Sequence, residues 1–345
     1  MRALALTSAG GLDQMEVLEL PDPGAPGPDE VLVRMHAAAL NRLDLFVTEG
    51  LKGVEYHFPH IVGSDGAGVV AAVGRNVTAP VIGDRVMLNG GVSCGHCRFC
   101  RRGEESLCDS FQVLGEHRAG TIADFVTLPA VNVAPVPDGM TWAVAAAYPL
   151  ATLTAWRMLT TRAALAQGET LFIWGAGGGV SQACIRIGRH LGATVIVAGS
   201  TDSKLVAATE LGAHHVINYR SEDVAARMKE ITGRRGADVV VDSVGEATWP
   251  TTLRIVSRSG RIVVCGATTG PNLAFDARRL FWHQWTIMGS TMGNRREWME
   301  VVAHAAAGRL WPVPDMIVPL DRAVEAYRRL QGGEQSGKVV IEVAS

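Results

Sequence analysis

The sequence predicts an α/β fold in which a doubly wound parallel sheet is joined to a second, mainly antiparallel β domain. Three observations lead there. Beyond Thr154, buried apolar runs alternate with amphipathic stretches of helical period. Before it, short strands follow one another with Pro and Gly between them. The first apolar run of the later part opens into the glycine-rich turn of "FIWGAGGGVSQACIRIG". A chain of 345 residues also exceeds what one hydrophobic core usually organises, so two domains are expected.

Taken in order, residues 1–153 contain "EVLVRMHAAAL", "GAGVVAAVG", "DRVMLN" and "ADFVTLP". "PDPGAPGPDE" and "VIGDRV" punctuate these runs, which favours a small antiparallel, barrel-like unit over a parallel sheet. Residues 154–290 contain "ETLFIWG", "GATVIVAG", "AHHVINY", "GADVVVDSVG", "GRIVVCGA" and "QWTIMGS". Such continuous apolar runs suit strands covered by helices on both faces. Between the first two, "GVSQACIRIGRHLG" has apolar residues at helical spacing, and Gly192 closes it. Residues 291–345 return to the first domain and end in the strand "GKVVIEV".

Apolar residues make up 48% of the chain, charged residues 19%, and the net charge is −2. This composition builds an ample core and argues against nucleic acid as a partner. The basic clusters "RMKEITGRR" and "CRFCRR" read as solvated faces. The amino terminus lacks the apolar stretch of a signal peptide, and no apolar run reaches the ~18 residues of a membrane span. A cytoplasmic protein acting on a small molecule, away from membranes, is expected.

Four of the six cysteines, Cys94, Cys97, Cys100 and Cys108, lie in "CGHCRFCRRGEESLC", a C-x2-C-x2-C-x7-C spacing within a lobe of about residues 90–115. In a reducing compartment such crowding indicates a metal rather than disulfides. Zinc takes four tetrahedral ligands, and four thiolates leave no position for water or substrate. One structural zinc ion per chain is therefore expected. His96 is a possible competing ligand, whereas Cys184 and Cys265 fall on apolar faces and read as core residues.

The glycine-rich turn follows a strand and opens a helix, the context in which free backbone N–H groups bind a pyrophosphate. Gly175, Gly178, Gly179 and Val180 are its candidate cofactor residues, and Ser181 stands where a third glycine is usual. The second strand ends "VIVAGSTDSKL", with Gly199 at the place of the acid that commonly binds the ribose hydroxyls. Ser200 and Lys204 are donors suited to a 2′-phosphate, so NADPH is expected in preference to NADH. The competing arrangement has Asp202 folding back onto the ribose.

The thiol quartet, the preceding "PHIVGSDGAGVVAAVG" and the following glycine-rich turn together resemble the medium-chain dehydrogenase/reductase superfamily of zinc alcohol dehydrogenases and quinone oxidoreductases. The resemblance spans essentially the whole chain. It implies a GroES-like catalytic domain bearing the zinc lobe, with the cofactor between that domain and the Rossmann domain. It also implies a second, catalytic zinc, but the three ligand positions match Asn41, Ser64 and Leu150, none of which suits the ion. "N-x-x-D", here Asn41 and Asp44, resembles the quinone oxidoreductase branch.

By the same resemblance Asn41, Ser64 and Asp65 are the candidate catalytic residues, Ser64 as a donor to a developing enolate and Tyr56 as a more distant proton donor. Thr154, Gly266, Ala267 and Lys338 are placed about the nicotinamide, and Tyr219 at the 2′-phosphate. Phe46, Tyr56, Trp282 and Thr291 are expected on loops around the substrate, and "TIMGS" at the edge that pairs across a homodimer or homotetramer. The expected activity is NADPH-dependent hydride transfer to a quinone or α,β-unsaturated carbonyl without catalytic zinc. The alternatives are an alcohol dehydrogenase whose zinc site is rebuilt from His57, His60 and Asp65, and an NADPH-binding redox sensor without turnover.

Overall fold

In a computed structural model that describes residues 1–344, the chain runs through β1 (Arg2–Leu6), β2 (Met15–Glu19), β3 (Glu30–Ala39), α1 (Arg42–Glu49), β4 (His60–Ile61), β5 (Asp65–Val73), β6 (Arg85–Leu88), β7 (Gly91–Val92), β8 (Gln112–Val113), β9 (Phe125–Pro129), β10 (Val133–Pro135), α2 (Trp142–Ala147) and α3 (Pro149–Trp156). Strand and helix then alternate: β11 (Thr170–Trp174), α4 (Gly179–His190), β12 (Thr194–Gly199), α5 (Asp202–Glu210), β13 (His215–Asn218), α6 (Val224–Ile231), β14 (Ala237–Asp242), α7 (Trp249–Ile255), β15 (Val256–Val264), α8 (Ala277–His283) and β16 (Thr286–Gly289). The chain closes with α9 (Arg295–Ala306), β17 (Pro314–Pro319), α10 (Ala323–Gln331) and β18 (Lys338–Glu342).

Met1–Ala151 and the chain from Gly293 form one compact unit, and Thr152–Met292 the other. The divisions fall at 151/152 and 292/293, where the sequence suggested 153/154 and 290/291.

In the first unit a seven-stranded sheet has the order β10-β6-β5-β3-β18-β17, with β9 also paired to β3. It is antiparallel except for the parallel pair β17–β18. β3 shows why its sequence makes a strand: Val31, Val33 and Met35 are buried while Arg34 is exposed, the period-two alternation of a half-covered sheet. Its last three residues, Ala37, Ala38 and Ala39, are all buried, because β5 flanks them on one side and β18 on the other. Asp65 at the start of β5 and Val340 of β18 both lie opposite Ala39. This register brings the exit of β3 and the entries of β5 and β18 to one place.

The second unit is a six-stranded, wholly parallel sheet of order β13-β12-β11-β14-β15-β16. Phe172, Ile196, Val240 and Ile262 are fully buried at its centre. The first three strands run outward one way and the next three the other, so a switch point lies between β11 and β14, where α/β sheets bind their ligands. Among the described residues, no helix is long and apolar enough to cross a membrane.

Candidate active site and cofactor site

β3 ends and the chain turns into α1 with Asn41 as its N-cap, whose backbone N–H donates to Asp44 Oδ2 at 2.7 Å in a reciprocal capping box. Asp65 opens β5 and Lys338 opens β18. Lys338 Nζ donates to Asn41 Oδ1 at 2.6 Å and to Asp65 Oδ2 at 2.8 Å. Asn41 Nδ2 donates to the same Asp65 oxygen at 3.0 Å, and the backbone N–H of Leu150 donates to Asp65 Oδ1 at 2.8 Å. Asp44, Ser64 and Asp65 have no exposed surface, and Lys338 has 3%.

The Ser64 hydroxyl donates to Asp44 Oδ1 at 3.2 Å. It faces Asp44 and is fully buried, which corrects the expectation that it donates to a developing enolate. Burial pushes the Asp44 carboxyl from its ordinary range up to about 7, and the Asp65 charge adds to the rise. The Asn41 N–H, the Lys338 charge and the Ser64 hydroxyl oppose it without cancelling it. Lys338, expected beside the nicotinamide, is built into this cluster of the first unit. Thr154 lies one helical turn beyond Leu150 in α3.

The residues at the catalytic zinc positions do not fit the ion. Asn41 is spent on Lys338 and Asp65, Ser64 on Asp44, and Leu150 offers an alkyl side chain. The rebuilt site does not assemble either. His60 Nε2 is 2.9 Å from Gly115 O, His57 is exposed, and Asp65 is ion-paired. Among the described residues the only group of metal-binding side chains is Cys94, Cys97, Cys100 and Cys108, whose sulfurs all lie within 4.8 Å of one another.

That quartet fits zinc. The Cys97–Cys100 and Cys94–Cys100 sulfur separations are 3.5 and 3.9 Å, against the roughly 3.8 Å edge of a tetrahedron with ~2.3 Å zinc–sulfur bonds. Backbone N–H groups of Cys94 and Cys97 donate to the sulfurs of Cys108 and Cys94 at 3.3 Å, the arrangement that steadies thiolates. The pair β7–β8 carries the lobe. His96 Nδ1 sits 2.8 Å from Cys94 O and stands outside the quartet.

In the second unit the turn after β11 fits a dinucleotide. Gly175 has φ +85°, which an L side chain rarely adopts, and Gly178 caps α4 without any side-chain bond to the helix N-terminus. The first N–H groups at Gly179 and Val180 are thus left for a phosphate. Ser181 is accommodated because its hydroxyl donates to Trp174 O at 3.2 Å.

A Cβ on Gly199 would stand 2.7 Å from Leu205 Cδ2 and 2.9 Å from Ala176 Cβ, so no acid fits there without displacement. Asp202 is occupied by Asn218 Nδ2 at 2.8 Å rather than folded towards a ribose. Ser200 precedes the α5 N-cap, Lys204 lies in that helix's first turn, and Tyr219 is 46% exposed with its ring 6.4 Å from that of Trp174.

Gly266 and Ala267 follow β15, and a Cβ on Gly266 would meet Ser243 O at 3.2 Å. The loop after β14 is held by Asp242, which accepts from the Val244 and Gly245 N–H groups at 2.9 and 3.0 Å and from the hydroxyls of Thr248 and Thr252. Sequence reasoning missed this residue. Its signal was an acid directly after the buried "VVV". Phe46 and Trp282, expected on loops, lie in α1 and α8, and Trp282 is 68% exposed.

Residues 27–138 match the family model of the alcohol dehydrogenase GroES-like domain, and residues 179–307 that of the zinc-binding dehydrogenases. A NAD-dependent alcohol dehydrogenase of Sulfurisphaera tokodaii is 30% identical over 99% of both chains. Among solved structures, a NAD-dependent alcohol dehydrogenase is 40% identical over the whole of both chains, with a TM-score of 0.95. A crotonyl-CoA carboxylase/reductase is 28% identical over 99% of this chain and 88% of its own, with a TM-score of 0.91.

Elemental analysis of the purified protein is expected to give one zinc per chain. Cys100→Ser is expected to lose it, and Cys184→Ser to keep it. Two ions per chain in the unaltered protein would contradict the donor assignment. Asp44 supplies a second test. Its carboxyl is held protonated in the folded state, so its stabilising contribution is complete below the unfolded-state value near 4 and is lost as pH rises through about 7. Asp44→Asn should remove that loss, so the variant's denaturation midpoint gains on the parent's between those limits and runs parallel above them.

Proposed function

The chain belongs to the medium-chain dehydrogenase/reductase superfamily and is a nicotinamide-dependent oxidoreductase, within which we propose an NADPH-dependent reductase of α,β-unsaturated carbonyl compounds or quinones that uses no catalytic metal. One observation carries this reading: the three catalytic-zinc positions hold Asn41, Ser64 and Leu150, and each is committed to Asp44, Asp65 or Lys338. An isolated ketone needs a strong electrophile on its oxygen before it accepts hydride. A conjugated carbonyl or quinone carries its own electron sink, so positioning and a few hydrogen bonds suffice.

The bound nicotinamide supplies the hydride. The chain's part is to hold the pyrophosphate at the α4 N-terminus and the loops of Gly266, Ala267 and Asp242 in place. Gly199 supports NADPH, since no carboxylate stands at the end of β12 to accept the ribose hydroxyls or repel a 2′-phosphate, and one oxygen of Asp202 is engaged by Asn218. Ser200 follows Gly199, Lys204 lies in the first turn of α5, and the Tyr219 backbone N–H donates to Gly199 O. The crotonyl-CoA relative, named for a conjugated substrate, supports the same chemistry.

Against this stand the names of the relatives, which are mostly alcohol dehydrogenases using NAD, and they favour a second reading: alcohol–carbonyl interconversion with NAD(H). An enal separates the two, because reduction at carbon–carbon gives the saturated aldehyde and reduction at oxygen gives the allylic alcohol. The saturated product is expected, with kcat/KM for NADPH above that for NADH by about tenfold, equivalent to ~1.4 kcal/mol. Allylic alcohol, or parity between cofactors, would favour the second reading. A homo-oligomer is also proposed. Among the described residues β16 pairs only with β15, and Phe281 and Trp282 of the preceding α8 are 67% and 68% exposed. Light scattering should return two or four chains per particle.

A further inference from the structure

We propose that Lys338 is the catalytic cation of this site, its remaining N–H donating to the oxygen on which charge develops as hydride reaches the substrate. The proposal rests on the metal-free reading above and names the group that does the electrophile's work.

An ammonium has three N–H donors. Asn41 Oδ1 and Asp65 Oδ2 accept two of those of Lys338, and no described residue accepts the third. Of the cluster, Asp44, Ser64 and Asp65 are wholly buried, whereas Asn41 and Lys338 retain 9% and 3% exposure. Asn41 has none of its side-chain groups free: its amide N–H groups go to Asp65 and to Ala39 O, and its oxygen to Lys338. Lys338 is therefore the one member of the cluster with a charged donor to spare.

Its surroundings fix the direction of the side chain. Two acceptors on different strands pin Nζ, as Asn41 follows β3 and Asp65 opens β5. A donor held before the reaction needs no reorganisation when charge appears, which is what makes such groups effective. A bound nicotinamide would supply hydride to the β-carbon, and the carbon–carbon π pair would shift towards the carbonyl to give an enolate. The oxygen takes the negative charge beside the ammonium. Lys338 donates a hydrogen bond and keeps its proton, and a proton from water completes the α-carbon.

The test uses p-nitrophenolate, an oxyanion whose absorbance reports its surroundings, with the full chain saturated by NADP⁺. Lys338→Met alone would strand Asp65, so the comparison is between Asp65→Asn and the double variant Asp65→Asn with Lys338→Met. The phenolate is expected to bind Asp65→Asn at least as tightly as the parent, and the double variant about tenfold or more weakly. Where the double variant does not fold, Lys338→Gln, which keeps a donor to Asp65, replaces it in comparison with the parent. Equal affinity in both members of the pair, or no phenolate binding by the parent, overturns the proposal.

Turnover provides the second arm. With an enal substrate at saturating NADPH, kcat should fall about 100-fold in the double variant relative to Asp65→Asn. Restored turnover in the double variant would reduce Lys338 to a structural ion pair. If the parent reduces no enal or quinone, the metal-free reductase reading fails, while the phenolate comparison still decides the role of Lys338.

Discussion

Lys338 and Asp65 form an ion pair with almost no access to water, at 2.8 Å, and much of the first unit is arranged to make that pair tolerable. Charges removed from water each cost several kcal/mol, and only good geometry with further hydrogen bonds offsets this. Asp65 has those bonds: the ammonium, the Asn41 amide and the Leu150 backbone N–H all point at its two oxygens. The donors arrive from the end of β3, the start of β18 and the start of α3. One carboxylate thereby ties three elements to the first residue of β5, and removal of either charge would cost about 3–5 kcal/mol by stranding the other.

Asp44 follows from the same constraint. The single ammonium is committed to Asp65, leaving a second, fully buried carboxyl with a backbone N–H and a hydroxyl for company. Neutralisation by a proton is the less costly solution, and the carboxyl is accordingly pushed up to about 7. Ser64 turns towards it because a buried hydroxyl must find an acceptor. The positions that would surround a dication are thus filled by a polar cluster whose members hydrogen-bond one another. A single positive charge already shared with a carboxylate polarises an oxygen less than a zinc ion does.

The parallel sheet was legible because each of its strands is a continuous apolar run followed by a turn, and local pattern suffices for that. The zinc lobe was legible because four thiols lie within fifteen positions, so their spacing alone constrains the geometry. Asn41, Ser64 and Asp65 were identified as a group, but their directions were not. Whether Ser64 faces a substrate or Asp44 depends on the register of β5 against β3 and on the capping box of α1, neither of which the letters determine. Lys338 was placed about the nicotinamide by resemblance, whereas its bonds to Asp65 and Asn41 were not legible because those partners stand 273 and 297 positions away in the chain. Asp242 was passed over because an acid after a buried strand reads equally well as a solvated turn.

At the other end of the cofactor site, packing also decides chemistry. β12 ends at Gly199 because α5 crosses close above it: Leu205 and Ala176 occupy the space that any side chain there would need. An acid at this place would have to push the helix away from the sheet and open the core around Leu205. Asp202, three positions on, is drawn to Asn218 on the neighbouring strand, and Glu222 satisfies the Asn218 N–H at 2.8 Å. Asp202 and Glu222, both through Asn218, therefore tie α5 and the turn after β13 to that strand. The close helix–strand contact that makes the sheet compact at Gly199 is thus also what keeps a carboxylate out of that position.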